Sequence, residues 1–330
     1  MAIELPVQIT VFERGWLSSN NILLTGGRET VLVDTGYCTH ADQTLALVQD
    51  ALAGRTLDRI VNTHLHSDHC GGNAQLQEAY PSVRIGIAQS QLDNVRYWRG
   101  EALTYRATGQ QCPRFVAHDA LSPGDVIEMG DLAWSVVAGA GHDPHEFLLF
   151  EPEHRILISA DALWQHGYGV VFPELEGEDG FADVATTLDR IEALAPRIVI
   201  PGHGAAFLDV EEALARARRR LAQQRDDPRS HAWHALKVLL KFKLLEQRRV
   251  ERTALLEWAS TMPYATALGM MHFADEPLSA LMERALGSLL KSGAAHQQEE
   301  WVEDGGRISA RTIAMTAVTA AQNKKPRSDC

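Results

Sequence analysis

Five short, β-branched apolar runs in the first two hundred residues each give way to a polar His or Asp, and this repeated ending constrains the fold more than any other feature of the chain. The runs are residues 30–33 before Asp34, 59–63 before His64, 134–138 before Gly141-His142, 155–159 before Asp161, and 197–200 before Gly202-His203. Runs of this length and composition predict buried strands. Between them, Leu45, Val48 and Leu52, and then Val184, Leu188, Ile191 and Leu194, recur at helical spacing, the second set with Asp183 as its N-cap and Pro196 beyond its end. Strand-then-helix order occurs once before residue 100 and again after 150, which predicts an α/β fold of two sheets sandwiched between helices. Layered α/β folds gather ligands where strand ends open onto loops, so the recurring His and Asp predict one shared site.

The donors are densest in Thr63-His64-Leu65-His66-Ser67-Asp68-His69-Cys70-Gly71-Gly72. Three imidazoles and a carboxylate within six residues, directly after an apolar run and with no intervening helix to spread them, form a metal cradle. Residues two apart in an extended segment point the same way, so His64 and His66 face one ion while the turning chain offers Asp68 and His69 to a second. Imidazole nitrogen with carboxylate oxygen suits zinc, iron or manganese, and residue types alone do not choose among them. His142, Asp161 and His203 stand at other strand ends as further donors. Each alone has a plain alternative as a turn or helix cap; jointly they complete a ligand set.

His64, His66 and His142 for one ion, Asp68, His69 and His203 for another, and Asp161 between them form a set that resembles the metallo-β-lactamase superfamily, whose most specific motif is HxHxDH. The resemblance covers residues 5 to 210 and includes Asn20-Asn21-Ile22-Leu23-Leu24, Val33-Asp34-Thr35-Gly36, Ser159-Ala160-Asp161 and Pro201-Gly202-His203-Gly204. It implies an αββα sandwich with two divalent metal ions along its open edge, zinc being the expected ion. It also implies that Asp34 buttresses the metal loop without coordinating, as carboxylates behind ligand imidazoles do. Glyoxalase II-like members carry a second His four residues after the ligand. Here His145 comes three after His142 and Glu146 takes the fourth place, so both stand as candidates for facing a substrate.

A helix running from about Val210 is interrupted at Gln223-Gln224-Arg225-Asp226-Asp227-Pro228. The expected organisation is a metallo-β-lactamase-fold catalytic domain over 1–225, a helical domain over 226–303 and a flexible tail over 304–330. Leu236, Leu239, Leu240, Leu244 and Leu245, then Leu255, Leu256 and Trp258, then Leu278, Leu281, Ala285 and Leu289 predict three helices. A hairpin is expected from Gly293 to Val302. Three helices and a hairpin resemble the winged-helix-like extension of some hydrolases of the superfamily.

Charge and composition narrow the partners. The net charge of −12 is uneven: residues 1–210 hold 12 Arg, no Lys and 28 acidic residues, a net of −16, and the remainder carries +4. An acidic large domain argues against nucleic acid as the main partner, because phosphate neutralisation supplies most of that affinity. The chain has no run of eighteen apolar residues and its first residues lack signal-peptide order, so no membrane partner is expected and a cytoplasmic location is. Four scattered cysteines without a CxxC pair indicate neither a disulfide framework nor a Cys-rich zinc knuckle. A small-molecule substrate is expected, and a homo-oligomer stays open.

Two divalent ions lower the pKa of bound water from about 16 to about 7, so hydroxide would attack a carbonyl without a protein nucleophile, with Asp68 orienting it or passing on its proton. The function expected is binuclear hydrolysis of a small ester, thioester or lactone. The alternatives are a non-catalytic metal-binding regulatory protein, a mononuclear-iron dioxygenase, or a nuclease of the same superfamily. Trp164, His166 and Tyr168, in the mixed segment after Asp161, are the candidates for lining the substrate space.

Overall fold

The computed structural model describes residues 3–306. Six strands, β1 (Ile9–Phe12), β2 (Asn21–Thr25), β3 (Thr30–Val33), β4 (Arg59–Val61), β5 (Arg84–Ala88) and β6 (Asp119–Leu121), form one sheet in sequence order. The first three are antiparallel and β3 to β6 are parallel. The second sheet, in the order β11-β10-β9-β8-β7, uses β7 (Val126–Met129), β8 (Leu132–Ala138), β9 (Phe147–Glu151), β10 (Ile156–Ala160) and β11 (Ile198–Pro201).

Strands β3, β9, β10 and β11 are buried at every position, the pattern expected when both faces of a sheet are covered. Side chains alternate between faces with a period of two. On β2, Ile22 and Leu24 enter the core between the sheets, and Leu23 enters the outer layer. Val31, Val33 and Val61 of the first sheet meet Trp134, Phe147 and Ile158 of the second. Helices α1 (Ala41–Leu52) and α3 (Asn73–Ala79) cover the outer face of the first sheet, with the one-turn α2 (Ser67–Cys70) and α4 (Leu92–Tyr97) beside them. Beyond the short α5 (Phe172–Leu175), α6 (Gly180–Leu194) and α7 (Val210–Asp226) cover the second. The result is an αββα sandwich.

Two local expectations change. Asp179, not Asp183, caps α6, accepting from the Ala182 N–H at 3.3 Å, while Asp183 lies inside the first turn. After α7 the chain forms four helices rather than three: α8 (Pro228–Gln247), α9 (Arg252–Thr261), α10 (Pro263–His272) and α11 (Leu278–Ser292). Helix α10 escapes the apolar pattern because Met270 and Met271 point to solvent while Tyr264, Ala265 and Leu268 are buried. A three-stranded sheet of β12 (Arg249–Glu251), β13 (Ala295–Gln298) and β14 (Trp301–Asp304) completes this region. Residues 304–306, expected in the tail, continue the hairpin, with the Gly305 N–H donating to the Ala294 carbonyl at 3.0 Å. The rest of that tail, 307–330, lies outside the described residues.

The core of the C-terminal helices is continuous with the preceding fold. Val170 and Leu175, from the segment after β10, belong to the same apolar cluster as Leu236, Leu240, Leu268 and Leu286. A polar chain fastens the same seam: the Tyr168 hydroxyl donates to Gln224 Oε1 (2.6 Å), Gln224 Nε2 lies 3.0 Å from His231 Nδ1, and His231 Nε2 lies 3.1 Å from the Val171 carbonyl oxygen. No helix among the described residues is long and apolar enough to cross a membrane.

Burial lowers the His231 pKa to about 4. A histidine whose folded pKa lies below its unfolded value of about 6.5 contributes stability above pH 6.5, and loses that contribution as the pH falls toward 4. The unfolding free energy of wild type is therefore expected to exceed that of His231→Gln at pH 7, and the gap to shrink by about 2–3 kcal/mol by pH 4. Denaturant melts of both proteins across that range check it; a gap independent of pH contradicts it.

Candidate metal centre

Beyond β4 the chain bends at Thr63 and His64 and then reaches His66, whose φ of −64° and ψ of 148° make it the N-terminal flank of α2. His64 and His66 converge across this bend, and Leu65 between them turns into the outer core. Asp68 and His69 sit in the single turn of α2, so a helix does begin within the motif, directly after His66.

Asp34, with a left-handed φ of 58°, supports this loop from the end of β3. Its Oδ1 accepts from the Thr63 N–H (2.9 Å), its Oδ2 accepts from the Thr63 hydroxyl (2.9 Å), and Oδ2 also lies 2.8 Å from His69 Nδ1. The Thr35 N–H donates to the His69 carbonyl at 2.7 Å. With Nδ1 donating to Asp34, His69 turns Nε2 toward the site, where that buried atom has no hydrogen-bond partner among the described residues.

The donors converge in two groups. His64 Nε2 lies 3.0 Å from His66 Nδ1, which lies 2.7 Å from His142 Nε2. His142 Nδ1 donates to the Val170 carbonyl oxygen at 2.5 Å, which fixes Nε2 as its free donor atom. In the second group His203 Nε2 is 3.2 Å from Asp68 Oδ2. Asp161 faces both: Oδ1 is 3.4 Å from His69 Nε2 and 3.7 Å from His203 Nε2, and Oδ2 is 3.3 Å from His142 Nε2. Within the triads His64–His66–His142, His64–His69–Asp161 and Asp68–His69–His203, all donor atoms lie within 4.8 Å of one another.

Asp161 reaches this place through a left-handed Ala160 (φ 45°) and a register shift in β10. The neighbouring turn must be glycine: a Cβ on Gly202 would stand 2.3 Å from Asp161 Oδ1.

Electrostatics prepare these groups to receive cations. Burial and the adjacent imidazoles push His64 well below its usual pKa, and burial brings His66 and His142 down to about 4, so all three present lone pairs at neutral pH. Burial would raise Asp161 and Asp68, but His203 and His69 hold both below the usual carboxylate range. Burial opposes protonation of His69, yet Asp161 and Asp34 outweigh it and raise its pKa. The neutral imidazoles of His64, His66 and His142, the charged carboxylates and the unpartnered, buried His69 Nε2 fit a pair of divalent cations.

Above the donors lies a cavity of about 520 Å³, with His66, Asp68, His142, Asp161 and His203 on its floor. Trp16, which sequence reasoning missed because no pattern marks its loop, stacks on His203 with centroids 5.4 Å apart. Phe172 packs edge-on against His66 at 5.2 Å. Trp164, His166 and Tyr168 line the cavity, and Val238, Phe242 and Leu245 of α8 supply another wall.

Two candidates for facing a substrate lie off this cavity. Glu146 is buried beneath the donors, where Oε1 accepts from the Asp161 N–H at 2.7 Å, and burial followed by Asp161 pushes its pKa well up. His145 lies outside the cavity lining, its Nδ1 3.0 Å from the Ser90 hydroxyl. Glu146 immediately precedes β9 and is buried, with Oε1 also 3.8 Å from His64 Nδ1. Asp143, also missed, places Oδ2 3.7 Å from His66 Nε2. Cys70 is buried and directs Sγ at the Leu65 carbonyl (3.5 Å), away from the cavity.

Comparison with known proteins agrees with this geometry. A family model described as the metallo-β-lactamase superfamily matches residues 14–203. The hydroxyacylglutathione hydrolase of Erythrobacter litoralis is 30% identical over 173 residues, which is 52% of this chain and 56% of that protein. The acyl-coenzyme A thioesterase MBLAC2 of Homo sapiens is 26% identical over 215 residues, 59% of this chain and 77% of that one. A solved β-lactamase domain protein from Burkholderia ambifaria shares the fold with a TM-score of 0.56 at 21% identity, covering 91% of this chain and 93% of its own. The chain spans 56–63% of the length of several curated relatives that it matches. The matched segment takes in more than half of the chain and every strand end that carries a donor, and the protein belongs to the metallo-β-lactamase superfamily.

Proposed function

We propose that the protein is a binuclear metal-dependent hydrolase acting on the carbonyl of a small ester, thioester or lactone. The observation that carries this reading is Asp161, whose two carboxylate oxygens face two separate groups of donors. His64, His66 and His142 would hold one cation, Asp68, His69 and His203 the other, and Asp161 both. Zinc is the ion expected, and iron or manganese satisfies the same donors. The resemblance to a hydroxyacylglutathione hydrolase and an acyl-coenzyme A thioesterase supports the carbonyl class.

When bound, a pair of divalent cations supplies a hydroxide nucleophile at neutral pH and a Lewis acid for the carbonyl oxygen. The chain does the rest. Asp68, charged and on the cavity floor, orients the nucleophile and accepts its proton at a carboxylate oxygen. The Trp164 indole N–H, 3.2 Å from Asp161 Oδ1, fixes the shared carboxylate. Trp16, Trp164 and Phe172 shield the ligand imidazoles from bulk water, which strengthens every polar interaction inside. We read residues 226–303 as a winged-helix-like extension whose α8 roofs the cavity and selects the acyl or leaving group.

Metal analysis and a panel of thioesters, esters and lactones test the reading. Wild type is expected to carry about two metal equivalents and to turn over at least one class, and Asp161→Ala to lose metal and about a thousandfold or more in kcat/KM, since two ions depend on that side chain. Full occupancy with no turnover of any class would favour a metal-dependent binding role instead. Asp34→Asn is expected to weaken metal affinity by about 10–100-fold while the far-ultraviolet circular dichroism stays unchanged; competition with a chelating dye measures it, and unaltered affinity contradicts the role given to Asp34.

A further inference from the structure

One wall of the cavity holds a cation without a counter-ion. Arg220 extends from α7 across the Tyr168 ring, its Cζ 4.8 Å from the ring centroid, and donates through Nη1 to the Tyr168 carbonyl at 2.9 Å. Gly167, at φ +134°, makes room for it: a Cβ there would stand 2.7 Å from Nη1. That carbonyl is the only hydrogen-bond acceptor of the guanidinium among the described residues, and none of their carboxylates comes within 4 Å of it. Burial lowers its pKa, the mark of a charge removed from water. A half-buried guanidinium with one backbone acceptor and no opposite charge keeps donors free for an arriving anion.

The neighbouring polar groups do not supply that anion, nor a competing charge. Lys241, the other Lys or Arg lining the cavity among the described residues, is paired with Asp304 and bonded to the Ala294 carbonyl. His234, in the same wall, is pushed down to about 3 by burial and then by Arg220, so it offers a hydrogen bond without a charge. Glu176 also lines the cavity, but it makes no ion pair with Arg220, and burial followed by Glu178 and Asp143 raises its pKa. Val238, Phe242, Leu245 and Tyr264 make the rest of this region apolar.

We infer that Arg220 is a specificity-determining anion site, seating a carboxylate or phosphate group that the substrate carries on an otherwise apolar stem. The guanidinium fork matches either group with paired hydrogen bonds. A neutral substrate leaves those donors unpaired, and such sites reject analogues lacking the partner group strongly. The inference rests on the hydrolase reading for its substrate, but anion binding can be measured apart from turnover.

The metal-loaded full chain is assayed with aryl esters of succinate and of butyrate that share one leaving group, and titrated calorimetrically with phenylacetate, phenyl phosphate and phenylacetamide. Wild type is expected to prefer the succinate ester and to bind an anion but not the amide, with the tighter of phenylacetate and phenyl phosphate naming the group. In Arg220→Gln the succinate-to-butyrate ratio of kcat/KM is expected to fall about tenfold or more, mainly through KM, whereas Arg220→Lys keeps part of it. Glutamine can still bond the Tyr168 carbonyl, so a purely structural role would leave the ratio unmoved. An unchanged ratio with unchanged anion binding overturns the inference, as does a wild type without anion preference. Arg220-dependent anion binding without hydrolysis of either ester or of any member of the thioester and lactone panel would sink the hydrolase reading and leave the anion site standing.

Discussion

The Asp34 carboxylate holds the site's geometry against its own chemistry. Imidazoles and carboxylates crowded to within a few ångströms offer one another lone pairs and like charges, and left to itself such a loop would open. Asp34 takes three donors from that loop, two from Thr63 and one from His69, and does so from the end of a strand buried on both faces. It therefore ties the orientation of His69 to the rigid centre of the first sheet. His142 is oriented by the same device from a backbone oxygen, that of Val170. Two of the ligand imidazoles are thus oriented by hydrogen bonds from the protein itself.

Much of this was legible in the residues. The five apolar runs correspond to β3, β4, β8, β10 and β11, and the donors named from their endings converge on one point. Local patterns carry that information, because the period of a strand and the spacing inside the His64–His69 motif are properties of a few neighbours. Strand β9 was missed because its run of four apolar residues has no polar stop of the same kind; it ends in Glu151, itself buried. Helix α10 has apolar residues on both its buried and its exposed sides, which erases the stripe.

What stayed hidden depends on register and on distant packing. Glu146 looked like a substrate contact by its offset from His142, but it takes its partner, the Asp161 N–H, from the neighbouring strand's end. That contact depends on how β9 is seated beside β10, which no local pattern encodes. Trp16 is separated from His203 by most of the sandwich in sequence, and only its closure brings them into contact. Arg220 is marked by no sequence pattern, and it stands out only where the Tyr168 segment is laid against it.

Val170 has two allegiances. Its carbonyl sets the tautomer of His142, and its side chain lies in the cluster formed by the C-terminal helices. Modularity is therefore incomplete in this molecule: a change in the C-terminal helices would also disturb the backbone that orients His142. Such a change in packing is expected to reach the imidazole through this one residue.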